Sequence, residues 1–238
     1  RMCVFVHLKM LVDNGGMNAN HVQRLRLTFR KEGATRYIGH LDLARTLERA
    51  LNRAQIPIAY TQGFNKRPRM ALVAPLPLGY LSECELADIF LLERMDPEAA
   101  RLQMMSKMAP GIDIWRVEEV PMNAPALQTS TAVTTYTVLL LDPTDATALQ
   151  QRIDDLLATE FIIRKRRDKA YDLRPLIETI TLAETEAGDI QIKMCLVMMP
   201  SKTGRPDEVL LALELDPMAA RITRTEIVMA DPAQVGVG

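Results

Sequence analysis

Three stretches of this sequence hold residue types that bind phosphate or move protons. YTQGFNKRPRM (60–70) sets Phe64 and Asn65 beside Lys66, Arg67 and Arg69. RKRRDK (164–169) gathers Arg164, Lys165, Arg166, Arg167 and Lys169 around one aspartate, and Tyr171 and Arg174 follow. Arg45, Arg49 and Arg53 recur every fourth residue and form one stripe on a helix. Cations at this density bind phosphates, and an aromatic among them offers a face on which a base stacks. The ordinary alternatives are a solvated helix face, a hairpin tip in water, and a Phe64 turned inward to anchor its loop. Inward packing is the commoner role of a lone loop aromatic.

For proton chemistry the candidate is His40, at a helix start with Tyr37 before it and Asp42 after it. With Tyr37 or Tyr60 and a cationic Lys66 it would form a metal-independent RNA-cleaving set; a hydrogen-bonded structural histidine is the more ordinary reading. Glu83 and Glu85 alternate on a strand and so share a face, without a third partner to make them catalytic. SKTGRPDEV (201–209) lacks the spacing of a phosphate loop, and its Pro206 starts a helix. No pattern of thiolates or histidines calls for a metal, and no motif calls for a cofactor.

The net charge of −1 over 238 residues hides a segregated chain. Residues 23–69 carry 11 Lys and Arg against 3 Asp and Glu, whereas residues 70–160 carry 5 against 14. Such segregation can place a basic face on an acidic body. Cys3, Cys84 and Cys195 are odd in number and far apart, which argues against a disulfide framework and fits a reducing, cytoplasmic setting. The segment RMCVFVHLKML is too short for a membrane span and lacks a cleavage pattern; residues 1–21 read as a leader, with Met17 a possible start.

The elements that must position these groups follow from periodicity. QRLRLTFRKEG (23–33) alternates as a half-buried strand, and residues 39–55 put Leu43, Leu47, Ala50, Leu51 and Ala54 on one helical stripe. RPRMALVAPLPLGY and SECELADIFLLE read as two strands, DPEAARLQMMSKMA as a helix with an Asp cap, and GIDIWRVEEV as a strand. The order β-α-β-β-α-β is that of a ferredoxin-like unit, and it recurs beyond PMNAPALQTS (121–130). The expectation is an α+β protein of two tandem ferredoxin-like domains with antiparallel sheets, at 22–121 and 131–230, joined by a linker at 122–130 and followed by a tail at 231–238.

YIGHLDL, the helix end RALNRA, GFNKRP, PLPLGYLSECE, DLRPLI and GRPDEVL together resemble the bacterial family DUF2344, whose members are called radical SAM-linked proteins. The likeness runs from about Leu25 to Ile227. The family loop has Pro after GFN where this chain has Lys66 and Arg67, which makes the loop more basic. The resemblance implies a radical SAM protein as partner and, through RNA-related gene neighbours, a tRNA or rRNA ligand. The expected function is an RNA-binding or substrate-presenting accessory module without a cofactor. The alternatives are the His40 RNA-processing enzyme and a protein-interaction adaptor that binds no RNA.

Overall fold

The computed structural model describes residues 21–62, 64–166 and 168–230. Alternation in β1 (Gln23–Lys31) sends Leu25, Leu27 and Phe29 to one face, where they are fully buried. That face is covered by α1 (His40–Arg53), which contributes Leu43, Leu47 and Leu51, and by α2 (Pro97–Met105), which contributes Ala100 and Met104. The Asp96 side chain caps α2 by accepting from the Ala99 amide at 2.9 Å, and Pro97 occupies the first turn, where a missing N–H costs nothing. β2 (Met70–Leu72), β3 (Leu81–Leu91) and β4 (Ile112–Val120) complete the first half in the antiparallel order β2-β3-β1-β4.

The second half repeats that order. β5 (Thr131–Leu140) is followed by α3 (Ala146–Ala158), the hairpin of β6 (Ile163–Arg166) and β7 (Lys169–Asp172), then β8 (Ile177–Glu184) and β9 (Ile190–Met199). The short β10 (Lys202–Thr203), α4 (Pro206–Ala212) and β11 (Ala220–Met229) complete the second half. Pairing runs β8-β9-β5-β11, all antiparallel. Leu149 and Ile153 of α3 and Val209 and Leu210 of α4 pack with Tyr136, Val138, Ile192, Met194 and Leu196 in a second core.

Where separate sheets were expected, strands of both halves run in one nine-stranded sheet. The cause is the length of β2, which pairs only with residues 87–89 of β3. The remaining edge of β3, at Leu81 and Ser82, is taken by Thr223 and Arg224 of β11 in a parallel pair. An open edge would leave backbone groups unpaired, and β11 closes it. Arg224 lies beside Tyr136 on the side covered by α3 and α4, and Glu85 lies beside Phe29 on the side covered by α1 and α2. Their contact at 3.0 Å puts all four helices on the same side of the sheet.

The segment read as a linker is packed against the opposite side. Leu127 is fully buried with Val73, Leu86 and Met198, and Arg24 donates to the carbonyls of Ala124 and Pro125 at 2.6 and 2.9 Å. One leucine in an otherwise irregular stretch leaves no periodic trace, which is why the sequence shows only a connector.

Candidate functional site

Tertiary pairing consumes part of the basic segment 23–69. Arg24 and Arg26 both converge on the fully buried Asp88, with Nε donating at 3.0 and 2.8 Å. Lys31 is buried and donates to the Ile38 carbonyl at 3.1 Å. Arg69 lies over the Phe90 ring at 4.7 Å and meets the His21 ring at 3.2 Å. Its backbone is also bonded to Ala59 and Phe90, just before β2, so it is held against the sheet and is not a free loop cation.

What remains outside is narrower and better placed. Phe64 is 109 % exposed, so the inward anchor expected of a lone loop aromatic does not occur here. Asn65, Lys66 and Arg67 beside it are exposed as well. The loop base is clasped: the Thr61 amide donates to the Arg67 carbonyl at 2.8 Å, and the Arg67 amide donates to the Thr61 hydroxyl at 3.1 Å. Pro68 pairs with Tyr60, whose hydroxyl donates to Asn52 Oδ1 at 2.7 Å and pins the loop to the end of α1. Gly63 lies outside the described residues. Arg45, Arg49 and Arg53 are exposed along the same helix, Arg45 paired with Asp42 at 3.3 Å and Arg53 donating to the Lys107 carbonyl at 2.9 Å. An aromatic face and cations therefore share the C-terminal end of α1.

The proposed proton-transfer set is not assembled. His40 is the first residue of α1, while Tyr60 is bonded to Asn52 in its last turn. Twelve residues of helix put roughly 18 Å between the two positions, beyond any hydrogen bond. Lys66 lies on the loop at the far end, and Tyr37 is exposed under the Arg36 guanidinium at 4.7 Å. His40 instead senses a buried seam. Burial lowers its pKa and nearby Lys31 lowers it further, against the opposing pull of Glu85.

That seam joins the two halves and was missed by the sequence reading. Arg224 donates to Glu85 Oε1 at 3.0 Å, to the Tyr136 hydroxyl at 3.2 Å and to the Ala74 carbonyl at 3.3 Å. All three side chains are at most 3 % exposed. Burial works against the Arg224 charge, but Glu85 and Tyr136 outweigh it and hold the guanidinium protonated. The available signal was parity: Lys31, Glu85 and Arg224 each occupy a position that the flanking apolar residues mark as inward. Glu83 does not share this environment, because two steps of β1 span three of β3 between Glu85 and Ser82, and the resulting bulge leaves Glu83 exposed. Burial pushes the neighbouring Cys84 thiol up to about 12, which leaves it no nucleophilic character at neutral pH.

The second basic block forms the β6–β7 hairpin, with Asp168 at a φ of 63° in its turn and Arg167 outside the described residues. Arg164 is tied to Glu208 of α4 at 2.9 Å, and Lys165 to Asp168 at 3.4 Å. Arg174 is turned inward onto the carbonyls of Leu157 and Ile177, both at 3.2 Å, and acts as a staple instead of a phosphate ligand. Arg166 and Lys169 face a cleft of about 380 Å³ together with Lys202 and Arg205. Among the described residues, no hydrogen bond or ion pair joins this hairpin to Arg45, Arg49 or Arg53. A second cleft, of about 570 Å³, is lined by His40, Leu41, Ala44 and Glu48 of α1 and by Met198, Met199 and Pro200 of the second half.

These features define an α+β protein with one large, mostly antiparallel sheet, four α-helices on one side of it among the described residues, and exposed basic residues in the 64–67 loop and the β6–β7 hairpin. The chain belongs to the DUF2344 family, described as an uncharacterized protein conserved in bacteria, which it matches over residues 24–206. No curated protein matches it. Among solved structures it is similar to a Cbf5–Nop10–Gar1 complex at 10 % identity and a TM-score of 0.47, covering 87 % of this chain and 50 % of that one. It is also similar to the archaeal box H/ACA sRNP Nop10–Cbf5 complex at 11 % identity and a TM-score of 0.42, covering 87 % and 48 %. The small subunit of acetolactate synthase from Thermotoga maritima follows at 10 % identity and a TM-score of 0.25, covering 87 % and 96 %. This chain thus spans about half the length of the first two. At these scores none of the three carries a functional argument. Among the described residues, no helix is long and apolar enough to cross a membrane.

Proposed function

We propose that this protein is an accessory module that binds single-stranded RNA, built on two ferredoxin-like units whose sheets are fused through β3 and β11. The recurrence of one strand order in both halves supports the two-unit reading. The observation that carries the RNA reading is the fully exposed Phe64 on a clasped loop with exposed Asn65, Lys66 and Arg67, its base tied through Tyr60 to the end of α1 that carries Arg49 and Arg53. A base stacks on Phe64, Lys66 and Arg67 hold its flanking phosphates, and the helix stripe extends the backbone track. The Lys66 and Arg67 departure from the family loop adds charge where this reading needs it. The radical SAM partner that the family's designation implies would act on the RNA so presented.

Binding of fluorescent single-stranded RNA by the full chain tests this across a salt series. The expected result is saturable binding whose logarithm falls linearly with the logarithm of salt, at a slope of about −0.7 per neutralised phosphate. Binding that is absent, or indifferent to both salt and Phe64→Ala, refutes it.

A further inference from the structure

The cleft beneath the β6–β7 hairpin is built from two stretches that look unremarkable apart. Arg166, Lys169, Tyr171 and Pro175 come from the hairpin side, and Ser201, Lys202, Thr203 and Arg205 from the turn before α4. One device fixes the hairpin wall and two clamp the walls together. Asp172 Oδ1 accepts from the amides of Ile162 and Arg174 at 2.8 and 3.0 Å and fixes the hairpin base. Arg164 ties the hairpin to Glu208. At Gly204 an added Cβ would stand 2.7 Å from the Leu176 carbonyl oxygen and 2.9 Å from Leu196 Cβ, so only glycine lets the two walls approach this closely.

Charge inside the cleft is unbalanced. Arg205 is held by Asp207 at 2.7 Å, and Asp172 is engaged with backbone amides. Among the described residues Arg166, Lys169 and Lys202 have no carboxylate partner. Three uncompensated cations around one concavity repel each other, and an anion placed between them removes that repulsion. The Ser201 hydroxyl adds a neutral donor, the Thr203 hydroxyl donating instead to the Met199 carbonyl at 3.3 Å, while Tyr171, Pro175 and Leu176 supply an apolar wall that a bare inorganic anion does not use. The volume of about 380 Å³ falls in the range of small-ligand sites.

The geometry points to a nucleotide site: a phosphomonoester held by Arg166, Lys169 and Lys202, with its base against Tyr171, Pro175 and Leu176. The phosphomonoester belongs either to a free nucleoside monophosphate or to the 5′ end of an RNA strand. The site uses neither Phe64 nor α1, so it stands or falls apart from the loop interface.

Isothermal titration of the full chain with AMP, adenosine and inorganic phosphate tests the assignment, with Lys202→Gln and Arg166→Gln singly and together, and Phe64→Ala as control. Expected results are saturable AMP binding, at least tenfold weaker adenosine binding, weaker inorganic phosphate binding, and at least a fivefold loss in each neutralised variant, with AMP binding unchanged in Phe64→Ala. Comparison of 5′-phosphoryl with 5′-hydroxyl RNA identifies the source: preference for the phosphorylated end assigns the RNA terminus, and indifference alongside AMP binding assigns the free nucleotide. Equal binding of AMP and adenosine overturns the proposal. So does wild-type AMP affinity in the double variant, or absence of AMP binding together with no preference between the two RNA ends. Both lysine and arginine targets are exposed, and the adenosine comparison is made on the unmodified protein, so the test does not depend on a variant folding.

Discussion

Arg224, in the last strand, and Glu85, in the third, meet at 3.0 Å across 139 residues of chain and fasten the two halves in a seam almost free of solvent. Removing one partner leaves the other charged, buried and unpaired, the costly case for an ion pair. Glu85→Ala or Arg224→Ala is expected to lower stability by about 3–5 kcal/mol in denaturant unfolding. Replacing both with apolar residues of similar volume, as in Glu85→Leu with Arg224→Met, should recover much of that loss. A loss in the double variant equal to the sum of the two single losses would show that the pair is not coupled.

Phe64→Ala removes a side chain that is fully exposed and takes no part in the cores. Its thermal midpoint should therefore match that of the unmodified protein, while RNA affinity drops about five- to a hundredfold, the size of one base stack. Lys66→Gln should weaken binding and flatten the salt slope by about 0.7. A fall in stability with no change in binding would mark Phe64 as a packing residue.

Leu127→Ala separates a packed strap from a free linker. Leu127 is fully buried between Leu86 and Met198, so truncation should cost about 2–5 kcal/mol in unfolding free energy, as for other buried leucines. A free linker would lose nothing.

His40 makes stability depend on pH with a definite sign. Its pKa in the folded protein lies below the ordinary value of about 6.5, first because of burial and then because of Lys31. The unfolded chain thus binds the proton more readily, and the stability contribution is present above about pH 6.5 and declines as pH falls through that value toward the folded pKa. His21 is lowered in the same direction, by burial and by Arg69. The thermal midpoint should fall between about pH 7.5 and 5.5, and His40→Gln should shrink that fall without abolishing it. An unchanged pH dependence in His40→Gln would place its titration in solvent.

Gly204→Ala forces a methyl group against the Leu176 carbonyl and Leu196. An overpacked contact of this kind costs about 1–3 kcal/mol and spreads the two walls of the hairpin cleft. Unfolding should show the loss; a neutral outcome would mean that the turn shifts freely.

Local periodicity settled much of the fold in advance. The alternation of Leu25, Leu27 and Phe29 appears as β1, the stripe of Leu43, Leu47 and Leu51 as the inner face of α1, and Asp96-Pro97 as the start of α2. Each is a short-range pattern whose period is fixed by backbone geometry, so the sequence alone suffices. Family membership was legible for a related reason, since its motifs are runs of neighbouring residues.

What a charge does is decided by partners far away in the chain, and there only the tertiary structure could speak. Arg24 and Arg26 look like part of a basic surface until Asp88, 64 and 62 residues on, takes both. Arg174 looks like Arg166 until one is seen turned onto backbone carbonyls and the other toward a cleft. The cleft itself needs residues 166–176 to meet 201–205, a contact permitted by the missing side chain at Gly204. Phe64 is the plainest case: its residue type fits a core or a solvent face equally, and only the closure of the loop between Thr61 and Arg67 left it in water.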